Sequence, residues 1–387
     1  VSKKNSIALG VAVVINNSKT VAQLTGNLGT SGTSVGEILI QAVTRHNMDD
    51  DYKTRLGAEA IAGAGSGGSG GFAVAGAVAV IVSNAETNAS VGNDVIIYSN
   101  GNMTVEAIEQ SKLAARAWGA SLTDSRFNEQ NGSGKTSGSN GNSDSKAGVG
   151  GAYAMIYVNN KTTAEIGDNA QITAKSLLVK AEKQQVSAKA DDIGGNIKIN
   201  GVIKTGSTQI KDGKVEINTT DDAQSSEDLK LSDLASVVKD LWNLLSNNNY
   251  YLEAVGGAAS TENTKFTGAG SFTVLVINDY VAALVGKNVT LILTDGLTVK
   301  AASKVNAVTI AGSVAYGGSK SAGVGINTII HNSKVNAGLG DGSTVTGANG
   351  GSWNGDVTIS ASGELDLTSI LVAAAASSSK SGNGTQA

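Results

Sequence analysis

Residues 320–340 read KSAGVGINTIIHNSKVNAGLG, and this stretch decides the fold. A Gly/Ser-rich lead-in runs into a short apolar segment. Asn332 follows, then Ala337 five residues on, then Leu339-Gly340. The phrase occurs five times. Its anchors are Asn17, Asn84, Asn159, Asn278 and Asn332, with Ala22, Ala89, Ala164, Ala283 and Ala337 at the same offset. Two residues past each Ala stands Leu24, Val91, Ile166, Val285 or Leu339; Thr25 closes the first copy and a glycine each of the others. The apolar run before each Asn is rich in β-branched residues and too short for a helix, so it predicts a buried strand.

A second phrase, apolar-x-Ala, follows each anchor. It reads Ile40-Gln41-Ala42, Val105-Glu106-Ala107, Val179-Lys180-Ala181, Val299-Lys300-Ala301 and Ile359-Ser360-Ala361. From anchor to this Ala the spacings are 25, 23, 22, 23 and 29 residues; from this Ala to the next anchor they are 42, 52, 97 and 31. One part of the unit is near-constant and the other absorbs insertions. That pattern predicts a stack of repeats with loops on one side. Residues 1–387 are therefore read as one all-β domain, a right-handed parallel β-helix of about five units carrying one α+β insertion. Each unit is expected to give two or three coils.

The insertion is placed at 196–265. Asn200-Gly201 and Asp212-Gly213 predict hairpin turns. Leu234, Val237, Val238, Leu241, Leu244 and Leu245 recur at helical spacing behind an N-cap at Ser232, so 226–246 is expected to be an amphipathic helix, with Trp242 a possible partner contact.

Composition agrees with a stacked core. The chain has no proline, against about 19 expected at ~5% usage, and proline is excluded from central strands. It has 50 glycines and only 4% aromatics. A net charge of −4 argues against nucleic acid as an electrostatic partner, and no run is long enough to insert in a membrane. With no cysteine there is neither a disulfide framework nor thiolate chemistry. Ser2-Lys3, Ser319-Lys320 and Ser379-Lys380 mark the same lead-in, so the chain is expected to belong to, or polymerise into, a longer array.

Candidate chemistry is sparse, and no enzyme is expected. The only histidines are His46 and His331, and His331 sits where other copies carry Asn16, Ser83, Val158 or Ile277. No catalytic, cofactor or metal residues are assigned. Asp49, Asp50 and Asp51 read as a solvated acidic turn rather than a calcium loop. The glycine run 63–71 reads as a flexible connection and the Gly-Lys-Thr within 128–146 as a surface loop, not phosphate sites. The repeated Asn reads as structural: a stacked ladder or a left-handed corner.

The lead-ins Gly-Gly-Ser-Lys-Ser-Ala-Gly-Val-Gly (317–325) and Lys-Ala-Gly-Val-Gly-Gly-Ala (146–152), the Asn-x4-Ala-x-apolar-Gly anchors and the apolar-x-Ala phrases resemble large secreted filamentous adhesins of Gram-negative bacteria, leukotoxin-like and filamentous-haemagglutinin-like β-solenoids. The resemblance covers about two-thirds of the chain and carries no catalytic residues. It implies an extracellular or cell-surface stalk presenting side loops, with itself, and cell-surface receptors or glycans, as partners. Two alternatives stand beside it: a self-assembling fibre, sheath or matrix subunit, and a β-helical polysaccharide lyase or hydrolase using Asp191 and Asp192 or Asp221 and Asp222.

Overall fold

The structure, a computed structural model, describes residues 5–46, 56–66, 71–123, 147–184, 206–211, 214–219, 248–260, 265–317, 320–348 and 353–377. Unit one contains β1 (Asn5–Asn16), β2 (Lys19–Leu24), β3 (Ile38–His46) and β4 (Leu56–Ser66). Unit two contains β5 (Phe72–Ser83), β6 (Glu86–Val91), β7 (Ile96–Tyr98), β8 (Met103–Ser111) and β9 (Leu113–Thr123). Unit three runs through β10 (Ala147–Val158), β11 (Lys161–Ile166), β12 (Gln171–Ala174) and β13 (Leu177–Lys183), then the pair β14 (Gly206–Lys211) and β15 (Lys214–Thr219), and returns as β16 (Tyr250–Ser260). Unit four is β17 (Phe266–Ile277), β18 (Tyr280–Val285), β19 (Thr290–Leu293) and β20 (Leu297–Tyr316); unit five is β21 (Ser321–His331), β22 (Lys334–Leu339), β23 (Thr344–Thr346) and β24 (Val357–Ala376). No helix occurs among the described residues.

The apolar runs before the anchors pair side by side as a lead sheet, β1-β5-β10-β17-β21. The strands after the anchors form an anchor sheet, β2-β6-β11-β18-β22. Next comes a short sheet, β7-β12-β19-β23, and the apolar-x-Ala phrases lie in a long sheet. Pairing within these sheets is parallel and joins equivalent residues: Ala22, Ala89, Ala164, Ala283 and Ala337 form one column, and Ala42, Ala107, Ala181, Ala301 and Ala361 another. The expectation of two or three coils per unit is corrected: each unit gives one strand to each sheet it enters, except that units one to three place two strands end to end in the long sheet. The phrases of one unit bond to their counterparts in neighbouring units, not to each other.

The long strand is whole in β20 and β24, which pair over 297–316 and 357–376. In unit three it is cut in two. β13 pairs with the start of β20, and β16 pairs with its end and with β9. Tyr250–Ser260, assigned to the insertion from the sequence, is therefore part of the long sheet. The chain leaves that sheet after β13 and rejoins it at β16. β14 and β15 pair antiparallel, and Asp212-Gly213, between them in sequence, lies outside the described residues. The Asn200-Gly201 turn and the helix at 226–246 lie outside the described residues.

Two cores result. One fills the space between the anchor sheet, the short sheet and the first half of the long sheet with Val, Ile, Leu and Ala. The other lies between the lead sheet and the second half of the long sheet, and alanine dominates it: Ala58, Ala60, Ala62 and Ala64 of β4, and Ala73, Ala75, Ala77 and Ala79 of β5. Small residues let these two sheets approach closely. A Cβ on Gly119 would collide with the Gly151 carbonyl, and one on Gly150 with the Gly257 carbonyl. Glycine is required there by the neighbouring backbone. Of the 63–71 run, read as a flexible connection, 63–66 belong to β4, and 67–70 lie outside the described residues.

The corner between the anchor and short sheets is left-handed. Asp94, Asn169, Asn288 and Gly342 have φ of 58, 58, 53 and 75°. Asn169 Nδ2 donates to Asp94 Oδ1 at 3.1 Å and Asn288 Nδ2 to Asn169 Oδ1 at 3.4 Å. These, not the repeated anchors, are the residues that need αL tolerance. Asn288→Val should therefore cost about 1–2 kcal/mol, and Asn288→Gly close to nothing, as read from denaturation midpoints.

Candidate functional site

Three features stand out: a corner ladder, an outward apolar face and a buried polar waist. The anchors recur at one corner, where the amides of Asn84, Asn159, Asn278 and Asn332 each donate to the residue before the previous anchor. Asn84 Nδ2 donates to Asn17 Oδ1 at 3.0 Å, and Asn332 Nδ2 to Asn278 Oδ1 at 3.1 Å. Their side chains lie at the surface rather than inside.

Lead-sheet strands were expected to be buried. In β5 and β10 only alternate residues are, and in the edge strand β1 none is. The other face carries columns such as Val11, Val78, Tyr153, Phe272 and Ile326, and Ile15, Val82, Tyr157, Val276 and Ile330. Tyr153 and Phe272 lie 5.5 Å apart between ring centroids. At its edge Ile7 is 73% exposed and Leu9 71%. Five strands at about 4.8 Å and five outward positions at about 6.8 Å make a face of roughly 20 by 27 Å. An apolar face of that size lies near the top of the range of about 300–600 Å² for the largest patch on a typical monomer.

Between the two cores lies a charged waist. It forms where inward positions of β8 and β13 meet the turns after β10 and β17. Lys183 Nζ lies 2.6 Å from Asp279 Oδ2 and 3.6 Å from Glu109 Oε1, and 5.3 Å from the Tyr250 ring. All four residues are buried. Glu109 accepts hydrogen bonds from Ser111 Oγ (2.6 Å), Asn160 Nδ2 (2.6 Å) and Thr162 Oγ1 (2.9 Å). Burial pushes the Glu109 carboxyl up, but Lys183 and these three donors outweigh it and hold the group below its ordinary range. At Asp279 burial wins over Lys183, and its carboxyl is raised. Burial opposes the charge on Lys183, yet Asp279 and Glu109 hold its pKa above the ordinary value.

The network continues through His46, whose Nδ1 lies 3.1 Å from Ser111 Oγ. Its Nε2 is 3.1 Å from Asn16 Nδ2, which can only donate. Nε2 therefore accepts and Nδ1 carries the proton, a neutral ring, in keeping with burial lowering the His46 pKa. His331 is exposed and bonds only Ser333 Oγ among the described contacts, at 2.7 Å.

A third buried carboxylate, Glu253, sits on the opposite face of the long sheet. Glu253 accepts from Trp118 Nε1 at 2.6 Å and Tyr251 OH at 3.0 Å, with Arg116 Nε at 3.5 Å. Burial, opposed by Arg116, Trp118 and Tyr251, pushes its pKa up from 4.5 to about 7. The folded state thus prefers the neutral acid. Its stabilising contribution is full below pH 4.5 and is lost as pH rises through about 7, a total of about 3 kcal/mol at 1.36 kcal/mol per unit. Glu253→Gln should flatten that part of the stability–pH curve, as measured by denaturant titration across the window.

The chain matches no protein-family model, no curated protein and no solved structure. Among the described residues no cluster of His, Cys, Asp or Glu is placed to hold a metal ion, and no helix is long and apolar enough to cross a membrane. Trp242, the acidic turn Asp49, Asp50 and Asp51, the carboxylates Asp191, Asp192, Asp221 and Asp222, and the loop 128–146 lie outside the described residues. Lys183, Glu109 and Asp279 were not singled out from the sequence. The available signal was parity: Val105, Ala107 and Glu109 alternate on one inward face.

Proposed function

We propose that the chain is a right-handed parallel β-solenoid with one coil per unit, and that it is a stiff segment of an extracellular filament that continues by end-on stacking. The observation that carries this reading is an open core at unit five. Val357 is 50% exposed while its register partner Leu297 is 0%, and Leu371 is 55% exposed while Ala311 is 0%. Inward positions that are sealed in unit four lack a cover in unit five. A further coil, from the same chain or another copy, would bury them and pair the free strand edges. Cell-surface receptors or glycans would be its partners. Electron microscopy of the isolated chain tests this. Rods that lengthen with concentration are expected, and Leu371→Lys should restrict them to single-chain length. Compact particles, or rods indifferent to that substitution, would refute it.

The sheath or matrix reading is favoured by the outward lead-sheet face. Two such faces packed together would remove roughly 1,000 Å² from water, the lower range for a specific interface. Tyr153 and Phe272 supply central aromatic anchors. Lateral bundles that dissolve on Tyr153→Lys would support it; rods that never associate sideways would end it.

A further inference from the structure

We infer that Lys183 and Asp279 become joined by an intramolecular isopeptide bond, with Glu109 relaying the protons. The reacting groups already touch as a close ion pair, Nζ lying 2.6 Å from Oδ2. The contact is short but poorly aligned, and beyond the close approach of Nζ to Oδ2 neither Nζ nor either oxygen of Asp279 makes a well-aligned hydrogen bond among the described residues. A buried ammonium and a buried carboxylate would normally use several aligned hydrogen bonds to offset lost hydration. Glu109, by contrast, has three donors and a fixed position, with Oε1 3.6 Å from Nζ.

The step balances without any added reagent. Proton transfer within the cluster leaves Lys183 as a neutral amine and Asp279 as the carboxylic acid. The amine lone pair attacks Cγ of Asp279, and the Nζ–Cγ bond forms. Glu109 takes the proton released by nitrogen and returns it to the departing hydroxyl, which leaves as water. One C–O bond breaks, one C–N bond forms, and Glu109 is regenerated. Desolvation favours this course because it penalises the charged pair more than the neutral one. The raised pKa of Asp279 agrees with it. The raised pKa of Lys183 reflects two ionised carboxylates beside it, and transfer to Asp279 removes one of those charges as it neutralises the lysine. The product replaces two buried charges with one amide whose N–H can add to the donors at Glu109.

The position has mechanical sense. Lys183 is the last residue of β13, where the long strand of unit three is interrupted, and Asp279 lies in the turn between β17 and β18 of unit four. The bond would clamp unit three to unit four beside the break, in a region where pulling along the rod would otherwise open the stack.

Denaturing intact-mass spectrometry of the purified full chain tests the inference, followed by peptide mapping. A mass below the sequence mass by one water, with a branched peptide joining Lys183 to Asp279, is the expected result. The full sequence mass would show an ion pair only and overturn it. Glu109→Gln, if folded by circular dichroism, should retain the sequence mass; complete dehydration in that variant would overturn the relay assigned to Glu109. Dehydration persisting in Lys183→Arg would place the lost water elsewhere and overturn the bond.

Discussion

Gly150→Ala is expected to destabilise the fold by about 3 kcal/mol or more, the upper range for overpacking. The added methyl would collide with the Gly257 carbonyl and stand 2.9 Å from the Gly119 oxygen. Both obstacles are backbone in strands bonded on either side, so relief needs a shift of whole sheets rather than a rotamer change. Gly270→Ala is the control. It lies in the same lead sheet with nothing within 4 Å of its Cβ position, and should change stability little. Guanidinium midpoints for the two variants should differ widely. Equal midpoints would mean that the alanine layer is looser than the structure describes.

Lys183→Met should cost at least about 3–5 kcal/mol, the usual penalty for leaving buried charge without its partner, with the lost Lys183–Asp279 link adding to it. It strands Glu109 and Asp279 in the waist. The pH dependence identifies the cause. Without the cation, burial and mutual repulsion raise both carboxyls in the folded state. The variant should then be least damaged under acid conditions and lose stability as pH rises. A loss independent of pH would point to packing instead of charge.

Much of this architecture was legible because it is periodic. The five Asn anchors recur at one corner, and their alanines stack in one column, since parallel pairing in register brings equal positions together. Other features were misread for identifiable reasons. Tyr250–Ser260 follows a long insertion, so spacing alone attached it to that insertion, although it completes the long strand that β20 shows whole. The lead strands were read as buried because both their faces are apolar. The structure leaves the outward face bare among the described elements. The left-handed corner was sought at the anchors, but Asn17, Asn84, Asn159, Asn278 and Asn332 all have negative φ. The strain falls instead on Asp94, Asn169 and Asn288, two residues beyond Gly92, Gly167 and Gly286.

By itself the sequence determined the local rules: where the repeated phrases lie, their near-constant spacing, and the alternation that sets inward from outward residues. Those follow from period-two alternation and fixed short spacings. Only the tertiary structure decided what stands across the interior. Successive units lie 67, 75, 119 and 54 residues apart, so the meeting of Gly150 with Gly257, or of Glu109 and Lys183 with Asp279, is written in no local pattern. It arises when parallel hydrogen bonding brings the units into register and two narrow cores close around what is left between them.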